Sequence, residues 1–199
     1  MRIATSTALA RRRGACSILV VDDSRTNLHV IGHRLGGLGY LAVLSDNGRE
    51  ALDLIAGRGF DLVLLDMMMP GMSGVEVLTE IRTAPDTADL PVIMVTSRSD
   101  TAGAVEALAA GADDHVAKPF DFDVLAARIE RTLDRAARLA ELKRAVASLD
   151  ARIAARAIEL GEARTELAVT RADRARLVSS IHALNEKVER LSCGTSAAG

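Results

Sequence analysis

The sequence predicts a doubly wound α/β domain with a parallel sheet, followed by a long α-helix patterned for a parallel coiled coil. Three observations carry this. Between residues 17 and 120, five short apolar runs alternate with stretches of helical spacing, the texture of repeated β-α units. After residue 121 the strand signals stop, and residues 121–192 contain no proline and a single glycine, Gly161. Within that stretch, apolar residues recur in alternating steps of three and four.

Taken in order, residues 1–16 hold four arginines and no acid. They lack the long apolar stretch of a secretory signal and read as a disordered basic arm, with a contact to a partner or to nucleic acid as the alternative use. The apolar runs are 18–21, 40–44, 62–65, 92–95 and 115–117. Three of them are β-branched and close to continuously apolar, as strands buried on both faces must be. Helical spacing falls at 25–38, 47–57, 74–83 and 101–110, and a fifth helix starts after Asp121. The α/β domain is expected over 17–134, the coiled-coil helix over 135–192, and a frayed, small and polar tail over 193–199.

Composition narrows the function. The net charge is −2 over 199 residues, but residues 1–16 carry +4, 17–120 carry −8 and 121–199 carry +2. An acidic domain with 2% aromatic residues, no Trp and one Tyr is a poor partner for nucleic acid, which asks for positive charge and stacking rings. Cys16 and Cys193 lie near opposite ends of the chain and suggest neither a disulfide framework nor a zinc site, which fits a reducing, cytoplasmic setting. No apolar run approaches the ~18 residues of a membrane span.

In open α/β sheets, ligands bind beyond the carboxyl ends of the strands, so the residues just after each apolar run are the informative ones. Asp22 and Asp23 follow the first run, Asp66 the third, Thr96 the fourth, and Lys118, then Pro119, the fifth. Three carboxylates crowded together raise one another's pKa, and a hard divalent cation removes that conflict. Mg²⁺ suits two or three carboxylates plus a carbonyl. A metal, a compact lysine charge and a threonine hydroxyl around Asp66 supply what the equatorial oxygens of a phosphoryl group need. The chemistry favoured is attack of the Asp66 carboxylate on phosphorus to give an acyl phosphate, and in-line attack of water to remove it. Each residue alone has a plainer use. Asp22 or Asp23 could cap the first helix, Thr96 could close a turn, and Lys118 could be a solvated charge. Met67 and Met69 are expected to pack around their loop rather than bind a soft metal.

Four segments, ILVVDDS (18–24), DLVLLDMMMPGMSG (61–74), PVIMVTS (91–97) and GADDHVAKPF (111–120), resemble the receiver domain of two-component response regulators in order and spacing. The resemblance covers about residues 16–134. It implies a flavodoxin-like (βα)5 fold, with Asp66 as phosphoacceptor and Asp22, Asp23, Asp66 and the Met68 backbone carbonyl as Mg²⁺ ligands. It further implies Thr96 and Lys118 as phosphoryl contacts, a cis peptide before Pro119, and a histidine kinase or phosphotransfer protein as donor. One position departs from the pattern. Many receivers carry an aromatic residue three before the lysine, which swings inward when the threonine engages the phosphoryl group. Here that residue is His115. A histidine keeps a ring of similar reach, compatible with a switch role, and would add pH sensitivity; its plainer role is a half-exposed polar residue.

On the long helix, the a positions are Leu139, Val146, Ile153, Leu160, Leu167, Arg174, Ile181 and Val188, and the d positions are Leu142, Leu149, Arg156, Ala163, Thr170, Leu177, Leu184 and Leu191. Thirteen of these sixteen are apolar in one unbroken phase. At ~1.5 Å per residue, a continuous helix over 121–192 would be ~108 Å long, more than a domain of this size can cover, so a parallel homodimer is expected. In such a pair Glu159 meets Arg164 and Glu166 meets Arg171 across the seam. Arg156, Thr170 and Arg174 interrupt it, making the middle its weakest section. Around Ile129, Leu133 and Ala136 the apolar phase differs, as it should where the helix passes from packing on the sheet to packing on a partner. His182 sits at a b position without the acidic neighbour of a phosphodonor histidine, and reads as a surface residue.

No helix-turn-helix, cyclase or phosphodiesterase pattern and no His/Asp metal cluster follows residue 120. The expected output is therefore signalling by protein–protein interaction through a phospho-switched coiled-coil dimer, without catalysis beyond autodephosphorylation. The alternative is the regulatory fragment of a receiver-linked enzyme, of cyclic-dinucleotide or kinase type. The stretch LDARIAARAIEL (149–160) resembles the linkers that join receivers to such enzymes, and the chain ends where the enzyme would begin.

Overall fold

The computed structural model describes residues 16–97 and 101–195, with side chains described for 16–97 and 102–187. The elements follow one another as β1 (Ser17–Val21), α1 (Arg25–Gly37), β2 (Leu41–Ser45), α2 (Gly48–Gly57), β3 (Leu62–Asp66), α3 (Gly74–Thr83), β4 (Val92–Ser97), α4 (Thr101–Ala109), β5 (Asp114–Lys118) and α5 (Phe122–Thr195). The five strands form one parallel sheet in the order β2-β1-β3-β4-β5. This is the doubly wound order whose switch point lies between β1 and β3. Each predicted run becomes a strand, with small shifts at the edges. Tyr40 lies outside β2, buried with its backbone N–H donated to the Leu35 carbonyl, and β5 gains Asp114 and Lys118.

The strand pattern sorts by position in the sheet. The central strands β1, β3 and β4 are buried almost throughout, whereas the edge strands β2 and β5 are only partly covered. Side chains alternate between the two faces of a strand, and two cores result. Leu19, Val21, Val63, Leu65, Val92 and Met94 pack under Ala51 and Ile55 of α2, Val77, Leu78 and Ile81 of α3, and Ala107 of α4. Ile18, Val20, Leu62, Leu64, Ile93 and Val116 pack under Leu28, Ile31 and Leu35 of α1, and Leu125 and Ile129 of α5.

Local chemistry sets where the helices begin. Ser24, Asn47 and Ser73 cap α1, α2 and α3, each side chain accepting the N–H of the third helical residue. At α3 the capping is reciprocal, with Glu76 accepting the Ser73 backbone N–H at 2.8 Å. Such caps are worth about 1 kcal/mol each. Gly74 opens α3 where the helix approaches β3 most closely: a Cβ there would lie 2.1 Å from the Asp66 carbonyl oxygen, so only glycine fits.

The chain divides into two compact units, Met1–Ala140 and Glu141–Gly199. In the first, burial along α5 fades through Thr132, Leu133 and Ala136, where the apolar phase changes. In the second, every described side chain is exposed, including Leu142, Val146, Leu149, Ile153, Leu160, Leu167, Leu177, Ile181 and Leu184. Leu139, just before the division, is exposed as well. The side chains of Val188 and Leu191 lie outside the described residues. Two boundaries need correction. Cys16 belongs to the folded unit rather than to the arm, its carbonyl accepting the Leu41 N–H. Residues 193–195, expected in a frayed tail, continue α5 to Thr195, because nothing after Leu191 breaks a helix until Gly194, and one glycine costs only about 1 kcal/mol. Residues 1–15 of the arm and 196–199 of the tail lie outside the described residues.

Candidate functional site

Parallel pairing brings the carboxyl ends of β1, β3, β4 and β5 to one edge of the sheet. Asp22 follows β1 directly and Asp66 is the last residue of β3. Asp66 pairs in register with Val95, and Ser97 with Lys118, so residues distant in sequence converge. Asp22, Asp23 and Asp66 each present a ligand oxygen within 4.8 Å of the others. Lys118 Nζ donates to Asp22 Oδ2 at 2.7 Å and to Asp66 Oδ2 at 2.8 Å.

The two lysine-bound carboxylates are buried and Asp23 is exposed. Burial pushes the Asp66 carboxyl above its usual range; the Lys118 hydrogen bond and charge pull it back, the Asp22 charge adds to the rise, and a Met68 backbone hydrogen bond opposes it. Burial works against the charge of Lys118 as well, but its hydrogen bonds to Asp22 and Asp66 prevail and hold the ammonium above its ordinary range. Among the described residues, Lys118 thus faces a pocket of three acids, an electrostatic surplus of negative charge that suits a divalent ion. The donor set is all oxygen, as Mg²⁺ requires, and it is open to solvent on the Asp23 side, as an ion that retains waters requires.

The other predicted residues fall around this centre. Thr96 is 2% exposed and sits one residue past Val95, the register partner of Asp66. The Met68 side chain is 68% exposed, so any part it takes is through its backbone. Met67 is buried in the core and Met69 packs against it, as expected of loop packing. The Lys118–Pro119 peptide is cis. His115 is half-buried on β5, in register with Met94, and His182 is exposed in the second unit.

Four contributors to the site and its framework are not marked as such in the sequence. Asn27 donates from Nδ2 to both oxygens of Asp22, at 3.1 and 3.2 Å, and the Ser24 N–H donates to Asp22 Oδ1 at 2.9 Å. Gly74 lets α3 approach the Asp66 backbone. Arg82, on α3, binds the carbonyls of Gly111, Ala88 and Leu90 and the carboxylate of Asp113, fastening α3 to the segments before β4 and β5. An asparagine three residues past a serine cap was a usable signal; the arginine carried none.

Comparison with known proteins agrees with this arrangement. The response regulator receiver domain family matches residues 18–130. Response regulator MprA of Mycolicibacterium vanbaalenii is 44% identical over 118 residues, 59% of this chain and 50% of that protein; the chain spans about half the length of the curated relatives it matches. Among solved structures, the receiver domain of a signal transduction histidine kinase from Syntrophus aciditrophicus aligns with a TM-score of 0.57 at 37% identity, over 60% of this chain and 91% of that one. NtrX from Brucella abortus aligns at 0.60 and 33% identity, over 68% of this chain and 29% of that one. Receiver domains bind Mg²⁺ at an acidic pocket of this kind. With the sheet order, the acidic edge and the lysine bridge in agreement with the family match, this chain belongs to the response regulator receiver domain family.

Proposed function

We propose that the protein is a response regulator that accepts a phosphoryl group on Asp66 from a histidine kinase or a phosphotransfer protein. The supporting observation is the placement of the Asp66 carboxylate, with Oδ2 held by Lys118 and a ligand oxygen within 4.8 Å of those of Asp22 and Asp23. Attack by an Asp66 oxygen forms the O–P bond of an acyl phosphate while the P–N bond of the donor phosphohistidine breaks and its electron pair returns to the imidazole. Asp22, Asp23, Asp66 and the Met68 carbonyl would hold Mg²⁺, which supplies charge neutralisation at the phosphoryl oxygens. Lys118, released from its carboxylates, neutralises a further oxygen, and Thr96 donates its hydroxyl to another. His115, three residues before Lys118 on the same strand, is the side chain assigned to respond when Thr96 engages.

The exposed apolar series from Leu139 to Leu184 supports a parallel homodimeric coiled coil as the output, with Val188 and Leu191 completing the seam. Phosphorylation then changes how the paired receivers meet, and a downstream protein reads the change. A second reading takes the chain as the regulatory part of a longer receiver-linked enzyme; the relatives, about twice the length of the matched region, carry more than a receiver. Labelling with radioactive acetyl phosphate tests the central assignment: the parent is labelled and Asp66→Ala is not, and equal labelling of the two would overturn it.

A further inference from the structure

At the start of α1, Ser24 caps the helix and accepts the N–H of Asn27, the third helical residue. A glutamate or glutamine commonly occupies that position and reaches back to the backbone N–H of the cap. Both halves of that reciprocal cap are present at α3, where Glu76 accepts the Ser73 N–H and Ser73 Oγ accepts the Glu76 N–H. At α1 the pattern is altered. The Ser24 N–H is instead taken by Asp22 Oδ1, and the third residue is an amide that turns to the same carboxylate, donating to both oxygens. A glutamate there would set a fourth carboxylate against a pocket that already holds three.

We infer that Asn27 is a positioning residue for the cation site, clamping the Asp22 carboxylate in the orientation in which it shares Lys118 with Asp66. The inference rests on the proposed Mg²⁺ and phosphoryl chemistry of that site. Asp22 is 2% exposed, so its oxygens depend on protein donors. Without Asn27, Oδ1 keeps the Ser24 N–H and Oδ2 keeps only Lys118 among the hydrogen bonds described. The carboxylate is then free to turn about its Cβ–Cγ bond and to carry the lysine with it. Groups that orient metal ligands through hydrogen bonds typically change affinity by ten- to a hundredfold when removed.

The test is calorimetric titration of the full chain with MgCl₂, alongside metal-free melting. Asn27→Leu keeps the volume and removes both donors. Asn27→His keeps a ring N–H at the same reach. The expected result is about tenfold weaker Mg²⁺ binding in Asn27→Leu and recovery of most of it in Asn27→His, with metal-free melting lowered in Asn27→Leu because the buried Asp22 loses two donated hydrogen bonds. In acetyl phosphate labelling, the half-saturating MgCl₂ concentration of Asn27→Leu rises by a similar factor, while the rate at saturating MgCl₂ stays near that of the parent. Parental Mg²⁺ affinity in Asn27→Leu, with binding lost in Asp66→Asn, would overturn the inference and leave the proposed function standing. Lowered melting with unchanged affinity would reduce Asn27 to a helix cap and overturn it too. Parental Mg²⁺ affinity in Asp66→Asn would overturn the underlying function itself.

Discussion

Lys118 and Asp22 lie 96 residues apart in the chain and 2.7 Å apart in the fold, and the same ammonium holds Asp66 at 2.8 Å. Removing it leaves two buried carboxylates without their shared cation, the costly half of any buried ion pair. Lys118→Met is therefore expected to destabilise the metal-free protein by about 2 kcal/mol, below the full buried-pair penalty because the lysine is partly exposed. Urea unfolding in EDTA measures this, and added MgCl₂ should recover much of the loss by supplying another cation. An unchanged unfolding midpoint in EDTA would contradict the bridge.

The raised Asp66 carboxyl sets a pH dependence of known sign. Between its ordinary value of 3.8 and its raised value in the fold, the folded chain keeps a proton that the unfolded chain has released. Stability from this group therefore falls as pH rises through that window, and the penalty is complete above it. Asp66→Asn abolishes the penalty, so without divalent cations the variant should be more stable than the parent at pH 7, with the difference shrinking toward pH 4. Lys118 acts at the other end of the scale. Its raised value means a contribution present below about 10.5 and lost as pH climbs through the folded value. Unfolding midpoints at pH 4, 7 and above 10 separate the two effects.

Gly74 should tolerate no side chain. The added Cβ of Gly74→Ala would lie 2.1 Å from the Asp66 carbonyl and 2.9 Å from the Met67 Cα. Both are backbone atoms that cannot rotate away. Overpacking of this kind costs about 1–3 kcal/mol, and here the displaced backbone carries the reactive carboxylate. Melting is expected to fall by several degrees and acetyl phosphate labelling to slow at the same time. A variant that melts lower but labels at the parental rate would show that α3 yields rather than β3.

What could be read from the sequence follows from how local each signal is. The central strands were legible because burial on both faces demands a run such as Leu62 to Leu65. The edge strands were harder: β2 leaves Leu41 exposed, and Tyr40 looks like a strand residue while being buried by a turn. The acidic edge was legible because parallel order places Asp22, Asp66 and Lys118 at strand ends. Arg82 was not, because its partners Gly111 and Asp113 lie 29 and 31 residues away and nothing local marks an arginine as a clasp.

That clasp is itself testable. Arg82 places four donated hydrogen bonds on three carbonyls and a carboxylate, and Asp113 Oδ2 in turn accepts the Val92 N–H at the start of β4. A lysine carries the charge but not the planar fork. Arg82→Lys is expected to lose about 1 kcal/mol and Arg82→Met more, since the Ala88 and Leu90 carbonyls are part-buried and unpaired buried carbonyls cost about 1–3 kcal/mol. Because most of these partners are neutral carbonyls, the loss should change little between low and high salt, measured by urea unfolding at both. A loss that vanished in high salt would mean that only the Asp113 charge pair mattered.

Two apolar residues of the same helix should fail in different ways. Ile129 is fully buried against the sheet, whereas Leu142 is 64% exposed. Ile129→Ala removes core contacts and is expected to cost about 2–5 kcal/mol of domain stability. Leu142→Ala has no such contacts to lose within the chain, and should leave unfolding of the α/β unit unchanged while weakening self-association. Ile181→Asp goes further by placing a charge within the apolar C-terminal part of the proposed seam, where desolvation without a partner opposes pairing. Sedimentation at micromolar concentration should find dimers for the parent, a shift toward monomer for Leu142→Ala, and monomers for Ile181→Asp. A dimer indifferent to Ile181→Asp would move the association surface off this helix and onto the α/β unit.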